Sequence, residues 1–90
     1  MTFTPFNLSE KVVLITGGNS GIGLGMAKGV ASAGASVCIW GTNLSKNKSA
    51  VDYLSRYGIN VKALECDVSD EQAVKDAFTE TLAIFGKVDA

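Results

Sequence analysis

The chain has 90 residues, of which 47% are hydrophobic and 19% are charged, and its eight basic and nine acidic side chains give a net charge of -1. These values are typical of one globular domain and exclude a disordered tail. No basic run is present, so we expect neither a nucleic-acid partner nor a membrane partner. Histidine, the commonest general base and metal ligand, is absent from the sequence, and we expect no metal site.

Two features bear on the cellular compartment. Residues 1–10 lack the basic and apolar regions of a secretory signal, and no apolar run approaches transmembrane length. Cys38 and Cys66 both lie in apolar, strand-like runs, where buried free thiols are a better interpretation than a two-cysteine metal site. Because free thiols are typical of a reducing compartment, we expect a cytoplasmic protein.

In chain order, the first predicted unit is a strand over residues 11–15 and a helix over residues 21–33. The strand is a continuous apolar and β-branched run, which is typical of a strand buried on both faces of a parallel sheet. Gly34 follows the helix where helices commonly end. Apolar residues at helical spacing predict the buried stripe of this helix: Ile22, Met26, Val30 and Ala33.

The second unit begins with a predicted strand over residues 35–40 and a turn at residues 41–43. Ser45 is the expected N-cap of a helix that extends to about Tyr57, before Gly58. Its apolar positions fall on one face: Ala50, Val51, Leu54 and Tyr57.

The third predicted strand covers residues 59–66. Ser69 and Gln72, three residues apart, predict a capping box at the start of a third helix that ends at Gly86. Residues 88–90 resemble the opening of a fourth strand. The third helix has a wide face of residues expected in the core: Ala73, Val74, Ala77, Phe78, Leu82 and Phe85.

A glycine-rich turn, residues 16–23 with the sequence TGGNSGIG, joins the first strand to the first helix. In a doubly wound sheet such a turn binds pyrophosphate, because unpaired N–H groups and the helix dipole favour an anion there. A side chain at Gly17 or Gly21 would obstruct the phosphate, and Gly23 permits close packing of helix and strand. Asn19 and Ser20 can cap the helix or donate to phosphate oxygens. A purely steric role for the glycines is the alternative, but the flanking strand and helix favour a ligand site.

Alternating strands and helices predict parallel strands joined by right-handed crossovers. The expected fold class is α/β: a Rossmann-like, doubly wound parallel sheet in three α-β-α layers, of which this chain carries the N-terminal βαβαβα half. The sequence resembles the short-chain dehydrogenase/reductase family, classical type. Four segments carry the resemblance: Thr16-Gly-x-x-x-Gly21-Ile22-Gly23, Asp67-Val68, Gly86-Lys87-Val88-Asp89 and Phe6-x-Leu8-x-x-Lys11-Val12.

The resemblance implies a cofactor and roles for individual residues. Ile22, with the three glycines of its motif, would frame the pyrophosphate and adjoining ribose of a nicotinamide dinucleotide. Asp67 would accept a hydrogen bond from the adenine amino group, with the Val68 backbone nearby. The alternative for Asp67 is a charge that favours the start of the next helix.

The resemblance also implies hydride transfer between nicotinamide and a small alcohol or carbonyl substrate, in a homo-oligomer (tetramer or dimer). The family's Asn-Asn-Ala-Gly stretch, catalytic Ser, and Tyr with a Lys four residues on do not occur in residues 1–90. Neither Tyr53 nor Tyr57 has a Lys four residues later, so no catalytic residue is assigned. We interpret residues 1–90 as the N-terminal part of a single NAD(P)-binding Rossmann domain, cut at the start of strand 4.

The choice between NAD and NADP is usually made just past the second strand, where an acidic residue binds the ribose of NAD and repels a 2′-phosphate. Residues 41–43, Gly-Thr-Asn, offer no carboxylate. Thr42 and Asn43 can donate to a 2′-phosphate and Lys46 is within reach, although Ser20 stands where many NADP-using relatives carry Arg. We expect NADP or NAD, with a preference for NADP. Trp40 either covers the sheet edge or flanks the adenine pocket.

Two other functions are consistent with part of this pattern. One is a non-catalytic dinucleotide-binding fragment or sensor, which a Tyr-x-x-x-Lys motif after Ala90 would exclude. The other is a methyltransferase that binds S-adenosylmethionine, but that class usually has an acidic residue where Trp40-Gly41-Thr42 stands. Because the first strand lies centrally in such sheets, we expect residues 1–90 alone to expose an apolar strand edge and to associate.

Overall fold

Three parallel strands form one sheet, in which the second strand lies between the first and the third. A computed structural model describes residues 8–90, so Phe6 of the opening motif lies outside the described residues. The elements are β1 (Val12–Thr16), α1 (Gly21–Ser32), β2 (Ser36–Gly41), α2 (Leu44–Leu54), a 3-10 turn (Ser55–Tyr57), β3 (Val61–Glu65) and α3 (Glu71–Phe85). The predicted α/β fold with a parallel sheet is confirmed.

The central strand β2 is buried on both faces. Val37 and Ile39 pack on the side of α1 and α2, while Cys38 and Trp40 pack on the side of α3. All four side chains are at most 4% exposed. Alternation of side chains across a strand therefore gives the sheet two apolar faces, each covered by helices, which is the predicted three-layer arrangement.

The buried stripe of α1 differs from the one expected from its spacing. Ala27 and Ala31 face the sheet, whereas Ile22 is 85% and Met26 is 58% exposed. Apolar residues occur almost all round this helix, so spacing alone cannot identify the inner face. The inner face carries alanines because small side chains allow the helix axis to approach the strands closely.

Two helices begin at residues other than the expected caps. Asn43, not Ser45, is the N-cap of α2, and its side chain accepts from the Lys46 backbone N–H at 3.0 Å. Asp70, not Ser69, is the N-cap of α3 and accepts from the next helical N–H groups. The Gln72 side chain donates to Asp76 instead of completing a capping box.

The outer surfaces of the later helices are more exposed than expected. On α3, Ala77 and Thr81 are buried, but Phe78 is 42% and Leu82 is 39% exposed. These two side chains lie one position round the helix from the residues that contact β2, so the described part of the sheet does not cover them. Tyr57, expected on the buried face of α2, is 39% exposed at the end of the 3-10 turn.

Residues 88–90 run alongside β1 on the edge opposite β2. Leu14 N–H donates to the Ala90 carbonyl at 2.7 Å, and Ala90 N–H donates to the Val12 carbonyl at 3.3 Å. These two bonds flank Val13 in the pattern of a parallel pair. The Asp89 carboxylate accepts from Val12 N–H at 2.8 Å, and that bond, followed by Lys87, lowers the pKa of Asp89. Residues 88–90 are not assigned as a strand in the described part of the chain, whose sheet has three strands, so the opening of a fourth strand stays a prediction.

Within residues 8–90, none of the helices combines the length and the apolar character that a membrane crossing requires.

The buried hydroxyl of Thr81 on α3 links the helix to the indole of Trp40. Thr81 Oγ1 accepts from Trp40 Nε1 at 3.1 Å and donates to the Ala77 carbonyl at 2.7 Å. Thr81→Val keeps the shape but leaves the buried indole N–H without its acceptor. We expect the free energy of unfolding to fall by about 1–3 kcal/mol, measured by urea denaturation. Thr79→Val, at an exposed position of the same helix with the same bond to a preceding carbonyl, is the control and should change stability by less than about 0.5 kcal/mol.

Candidate functional site

The carboxyl ends of the three strands open into one cleft of about 410 Å³. Its walls come from the three segments that follow the strands, because parallel strands place these segments at the same edge of the sheet. The lining residues are Thr16, Gly17 and Asn19 at the end of β1 and after it; Trp40, Gly41, Thr42, Asn43 and Lys46 at the end of β2 and after it; and Cys66, Asp67 and Val68 after β3.

The cleft contains six of the ten residues predicted for the site. Gly17, Asn19, Thr42, Asn43, Asp67 and Val68 line it. The other four, Ser20, Gly21, Ile22 and Gly23, form the N-cap and first turn of α1 directly after Asn19.

Backbone conformation explains the glycines of the β1–α1 turn. Gly17 and Gly21 have φ values of +71° and +58°, in the left-handed region that favours glycine. Among residues 8–90, no atom lies within 4 Å of where a Cβ would stand at either position, so the space beside both is open. At Gly23, by contrast, a Cβ would overlap the Gly17 carbonyl. Gly23 therefore permits close packing, as predicted, but against Gly17 and Gly18 of the turn and not against the strand itself.

The start of α1 is left without a side-chain cap. Ser20 occupies the N-cap position in extended conformation, but its hydroxyl makes no capping hydrogen bond, and the first turn has no acidic residue. Asn19 does not cap the helix either, because its Oδ1 accepts from Ser20 Oγ at 3.4 Å and its Nδ2 donates to Asn47 Oδ1 at 2.8 Å. The hypothesis that one of these side chains caps α1 is therefore wrong. The first-turn N–H groups, which lack intrahelical acceptors, leave this end suited to an anion.

The end of β2 presents neutral side chains and one cation to the cleft. Asn43 Oδ1 is occupied by its capping bond to Lys46 N–H. Thr42 is exposed, and the Lys46 side chain lines the same cleft. The first turn of α2 has no acidic residue. A negatively charged group at this place would meet the start of a helix and an ammonium group, both of which attract it.

Asp67 builds the turn that follows β3. Its Oδ1 accepts from Ser69 N–H at 2.9 Å and from Ser69 Oγ at 2.7 Å, and its carbonyl accepts from Asp70 N–H. The Ser69 hydroxyl and then the Ser69 N–H lower the pKa of Asp67, so the exposed carboxylate stays ionised at neutral pH. Asp70 and Glu71 hold the N-cap and the first turn of α3, and Asp67 lies three residues before that cap. Val68 beside it is 58% exposed.

Trp40 belongs mainly to the core. Its indole is 4% exposed, packs with Leu64 and Ala77, and donates to Thr81. It also contributes to the floor of the cleft. The hypothesis that Trp40 covers a sheet edge is wrong because β2 is the central strand.

Sequence reasoning missed Asn47, a residue of α2 that is 4% exposed. Besides accepting from Asn19, its Nδ2 donates to the Gly41 carbonyl at 2.9 Å. It thereby joins the β1–α1 turn to the end of β2. The signal that could have revealed it is a polar residue three positions before Ala50 and seven before Leu54, on the buried stripe of α2.

The described side chains of the cleft are suited to binding a ligand and not to catalysing a reaction. Burial raises the pKa of Cys66, with Asp67 and Asp70 adding to the effect, so the thiol stays protonated. Tyr53 does not line the cleft; the Lys28 ammonium lies 5.0 Å from its ring centroid, and Lys28 lowers the pKa of Tyr53. Within residues 8–90, no group of three or more acidic or cysteine side chains is placed to hold a metal ion.

Gly23 gives a prediction with an internal control. Gly23→Ala places a methyl group against the Gly17 carbonyl, so we expect a loss of about 1–3 kcal/mol in stability and a distorted glycine turn. Gly25→Ala lies in the same helix, where a Cβ meets open space, and should be neutral or stabilising by up to about 1 kcal/mol. Thermal unfolding of both variants is the measurement. Equal melting temperatures for the two would contradict the packing role of Gly23.

The comparisons with known proteins agree with this geometry. The short chain dehydrogenase family model matches residues 11–90. A probable NADP-dependent mannitol dehydrogenase of Yarrowia lipolytica is 40% identical over 85 residues, covering 93% of this chain and 30% of the relative. The structure of an NAD+-bound xylitol dehydrogenase superposes with a TM-score of 0.89 at 30% identity, covering 96% of this chain and 32% of that one.

A metagenomic short-chain oxidoreductase in complex with NADP superposes with a TM-score of 0.87 at 28% identity, covering 93% of this chain and 38% of that one. This chain thus spans about a third of the length of these relatives. The superpositions confirm the predicted Rossmann-like fold. Because the family model covers all but residues 1–10, the chain belongs to the short-chain dehydrogenase family.

Proposed function

We propose that the chain supplies the dinucleotide-binding part of an NAD(P)(H)-dependent oxidoreductase, which transfers hydride between nicotinamide and an alcohol or carbonyl substrate. One observation carries the proposal: the glycine turn and the uncapped start of α1 adjoin a cleft at the carboxyl ends of three parallel strands. This is where doubly wound sheets bind dinucleotides. The family membership supports the same conclusion.

The residues present fit a dinucleotide. The open space beside Gly17 and Gly21 is a cradle that a Cβ would fill, and with Ile22 and Gly23 it would hold the pyrophosphate and its ribose. Asn19 and Ser20 stand at the same helix start, where the second amide hydrogen of Asn19 and the serine hydroxyl can donate to phosphate oxygens.

The remaining predicted residues would hold the adenosine half. Thr42 and Asn43 would border the ribose at the end of β2. The Asp67 carboxylate would accept from the adenine amino group, and Val68 would pack against the base. Asp67 Oδ1 is engaged by Ser69, so Oδ2 is the oxygen we assign to adenine.

When bound, nicotinamide supplies or accepts the hydride. The described residues bind and orient the dinucleotide, and none of those lining the cleft is placed as a general acid. We propose that residues 1–90 are the N-terminal part of one Rossmann domain in a homo-oligomer. A cytoplasmic location is proposed on the two free, buried cysteines.

We propose NADP as the preferred cofactor. The start of α2 and the Lys46 ammonium flank the end of β2, and the cleft-lining residues of that segment carry no carboxylate. A 2′-phosphate there gains electrostatic attraction, whereas an NAD-selective site needs a carboxylate for the ribose hydroxyls.

Lys46 and Lys48 provide a matched pair for testing cofactor preference at the protein's native length. We expect NADP to bind about tenfold more tightly than NAD, a difference of about 1.4 kcal/mol. Lys46→Ala should weaken NADP binding severalfold and leave NAD unchanged, since only NADP carries the 2′-phosphate. Lys48→Ala, outside the cleft on the same helix, should affect neither. Calorimetric titration is the measurement, and tighter binding of NAD would contradict the preference.

Asp67→Asn separates the carboxylate's charge from its role in the turn. The asparagine oxygen can still accept from Ser69, so the fold should persist, while adenine binding loses a charge-assisted bond. We expect about a fivefold larger dissociation constant for NADP, and no change for the analogue whose purine base carries hydrogen in place of the 6-amino group.

The pH dependence gives a second check on Asp67. Because its pKa is lowered, the ratio of wild-type to Asp67→Asn affinity should hold from neutral pH down through the usual carboxyl range and fall only below it. Asp52→Asn, at an exposed position on α2, is the control for charge removal. If Asp67→Asn weakens the binding of NADP and of the analogue without the amino group equally, Asp67 does not contact adenine.

A further inference from the structure

The amide of Asn47 connects all three segments that line the cleft. It accepts from Asn19 after β1 and donates to the Gly41 carbonyl at the end of β2. The same carbonyl accepts from Cys66 N–H after β3, at 3.3 Å. No side-chain nitrogen or oxygen buried in residues 8–90 lacks a partner, so this network is complete.

Gly41 shows how tightly the network is packed. A Cβ at this position would overlap both the Asn19 amide nitrogen and the Asn47 amide oxygen. The two amides therefore fill the volume that a side chain at the end of β2 would occupy. Any residue other than glycine there would displace them.

We propose that Asn47 is a positioning residue for the dinucleotide. Its amide holds the β1–α1 turn, which would bind pyrophosphate, at a fixed separation from the end of β2, which would bind the adenosine ribose. This inference rests on the proposed function and adds a residue that contacts no part of the cofactor. Asn47 does not itself line the cleft.

A positioning role has a signature that a general stabilising role lacks. A ligand that reaches both segments benefits from their fixed separation, because the second contact is made at no further ordering cost. A ligand that does not reach the β1–α1 turn does not gain from the fixed separation between that turn and the end of β2. ADP carries the pyrophosphate and the adenosine together, whereas adenosine reaches only the segments after β2 and β3.

Asn47→Asp is the sharpest variant because it preserves shape. The carboxylate still accepts from Asn19, but it faces the Gly41 carbonyl without a proton to donate. At pH 7 we expect ADP to bind about tenfold more weakly than to wild type and adenosine to change by less than about twofold. Burial raises a carboxyl pKa, so at pH 5 the protonated acid donates again and the ADP affinity should recover relative to wild type.

The experiment uses the protein at its native length, with dissociation constants for ADP and adenosine from titration followed by NMR. Asn60→Asp, an exposed asparagine at the opposite end of the sheet, is the control and should match wild type at both pH values. Gly41→Ala should reproduce the selective loss of ADP affinity because its Cβ displaces both amides.

The outcomes distinguish the two proposals. If the wild type binds neither ADP nor adenosine, the dinucleotide function fails and the role of Asn47 fails with it. If the wild type binds both, and Asn47→Asp weakens both equally or neither, only the positioning role is overturned. Persistence of the ADP defect at a pH where NMR shows the introduced carboxyl to be protonated would also overturn it, because the restored donor would then have no effect.

Discussion

The parallel pairing of β2 with both of its neighbours constrains everything else in this structure. Val37 aligns with Val13 on one side and Val61 on the other, and Trp40 aligns with Thr16 and Leu64. Because all three strands run the same way, the chain must leave each of them at the same edge. The glycine turn, the neutral end of β2 and the Asp67 turn are therefore neighbours through topology, although they are far apart in sequence.

Where three chain segments meet at one edge of the sheet, backbone polar groups become buried and need hydrogen-bond partners. Uncharged residues supply those partners here. The Gly41 carbonyl would be buried at the junction, and it is satisfied by the Asn47 amide and by Cys66 N–H. Glycine at position 41 makes room for that amide. The charged groups, Lys46 and Asp67, stand at the exposed cleft walls instead, where water reduces the cost of their charge.

The walls of the cleft consequently differ in sign. Lys46 and the starts of α1 and α2 offer positive potential on the side of β1 and β2, while the Asp67 carboxylate stands after β3. A ligand with phosphates at one end and a hydrogen-bond donor at the other meets complementary charge in only one orientation. This polarity follows from which segment carries which residue, and it favours a nucleotide over a simple dianion.

The sequence was a good guide to the architecture and to the position of the site. Continuous apolar runs identified the buried strands, and TGGNSGIG between strand and helix predicted an anion site at the start of α1. The predicted N-caps were wrong by one or two residues. Asn43 and Ser45 lie two positions apart, Ser69 and Asp70 are adjacent, and the residues of each pair have similar N-cap propensity. Only the geometry of the incoming chain decides between such neighbours.

Helix faces were harder to predict than helices. In α1, leucine, isoleucine, methionine and valine occur all round the helix axis. The buried face is the one with Ala27 and Ala31, whose small side chains let the helix lie close to the sheet. In α3, the polar Thr81 is buried while Phe78 is exposed, because the indole of Trp40 requires an acceptor at that place. Both choices depend on the partner surface, which hydrophobic spacing within one helix does not encode.

Asn47 illustrates the same limit at the functional site. Its position on the buried stripe of α2 is visible in the sequence, but its partners come from β2 and from a turn 28 positions earlier. A buried amide is tolerated only when each polar atom has a hydrogen-bond partner. The Asn19 amide, the Asn47 amide and the Gly41 carbonyl must therefore all be in place at the same time. Since none of the three changes its charge over the physiological pH range, the spacing they impose is independent of protonation. The residues that contact a ligand can then vary in charge without altering the frame that holds them.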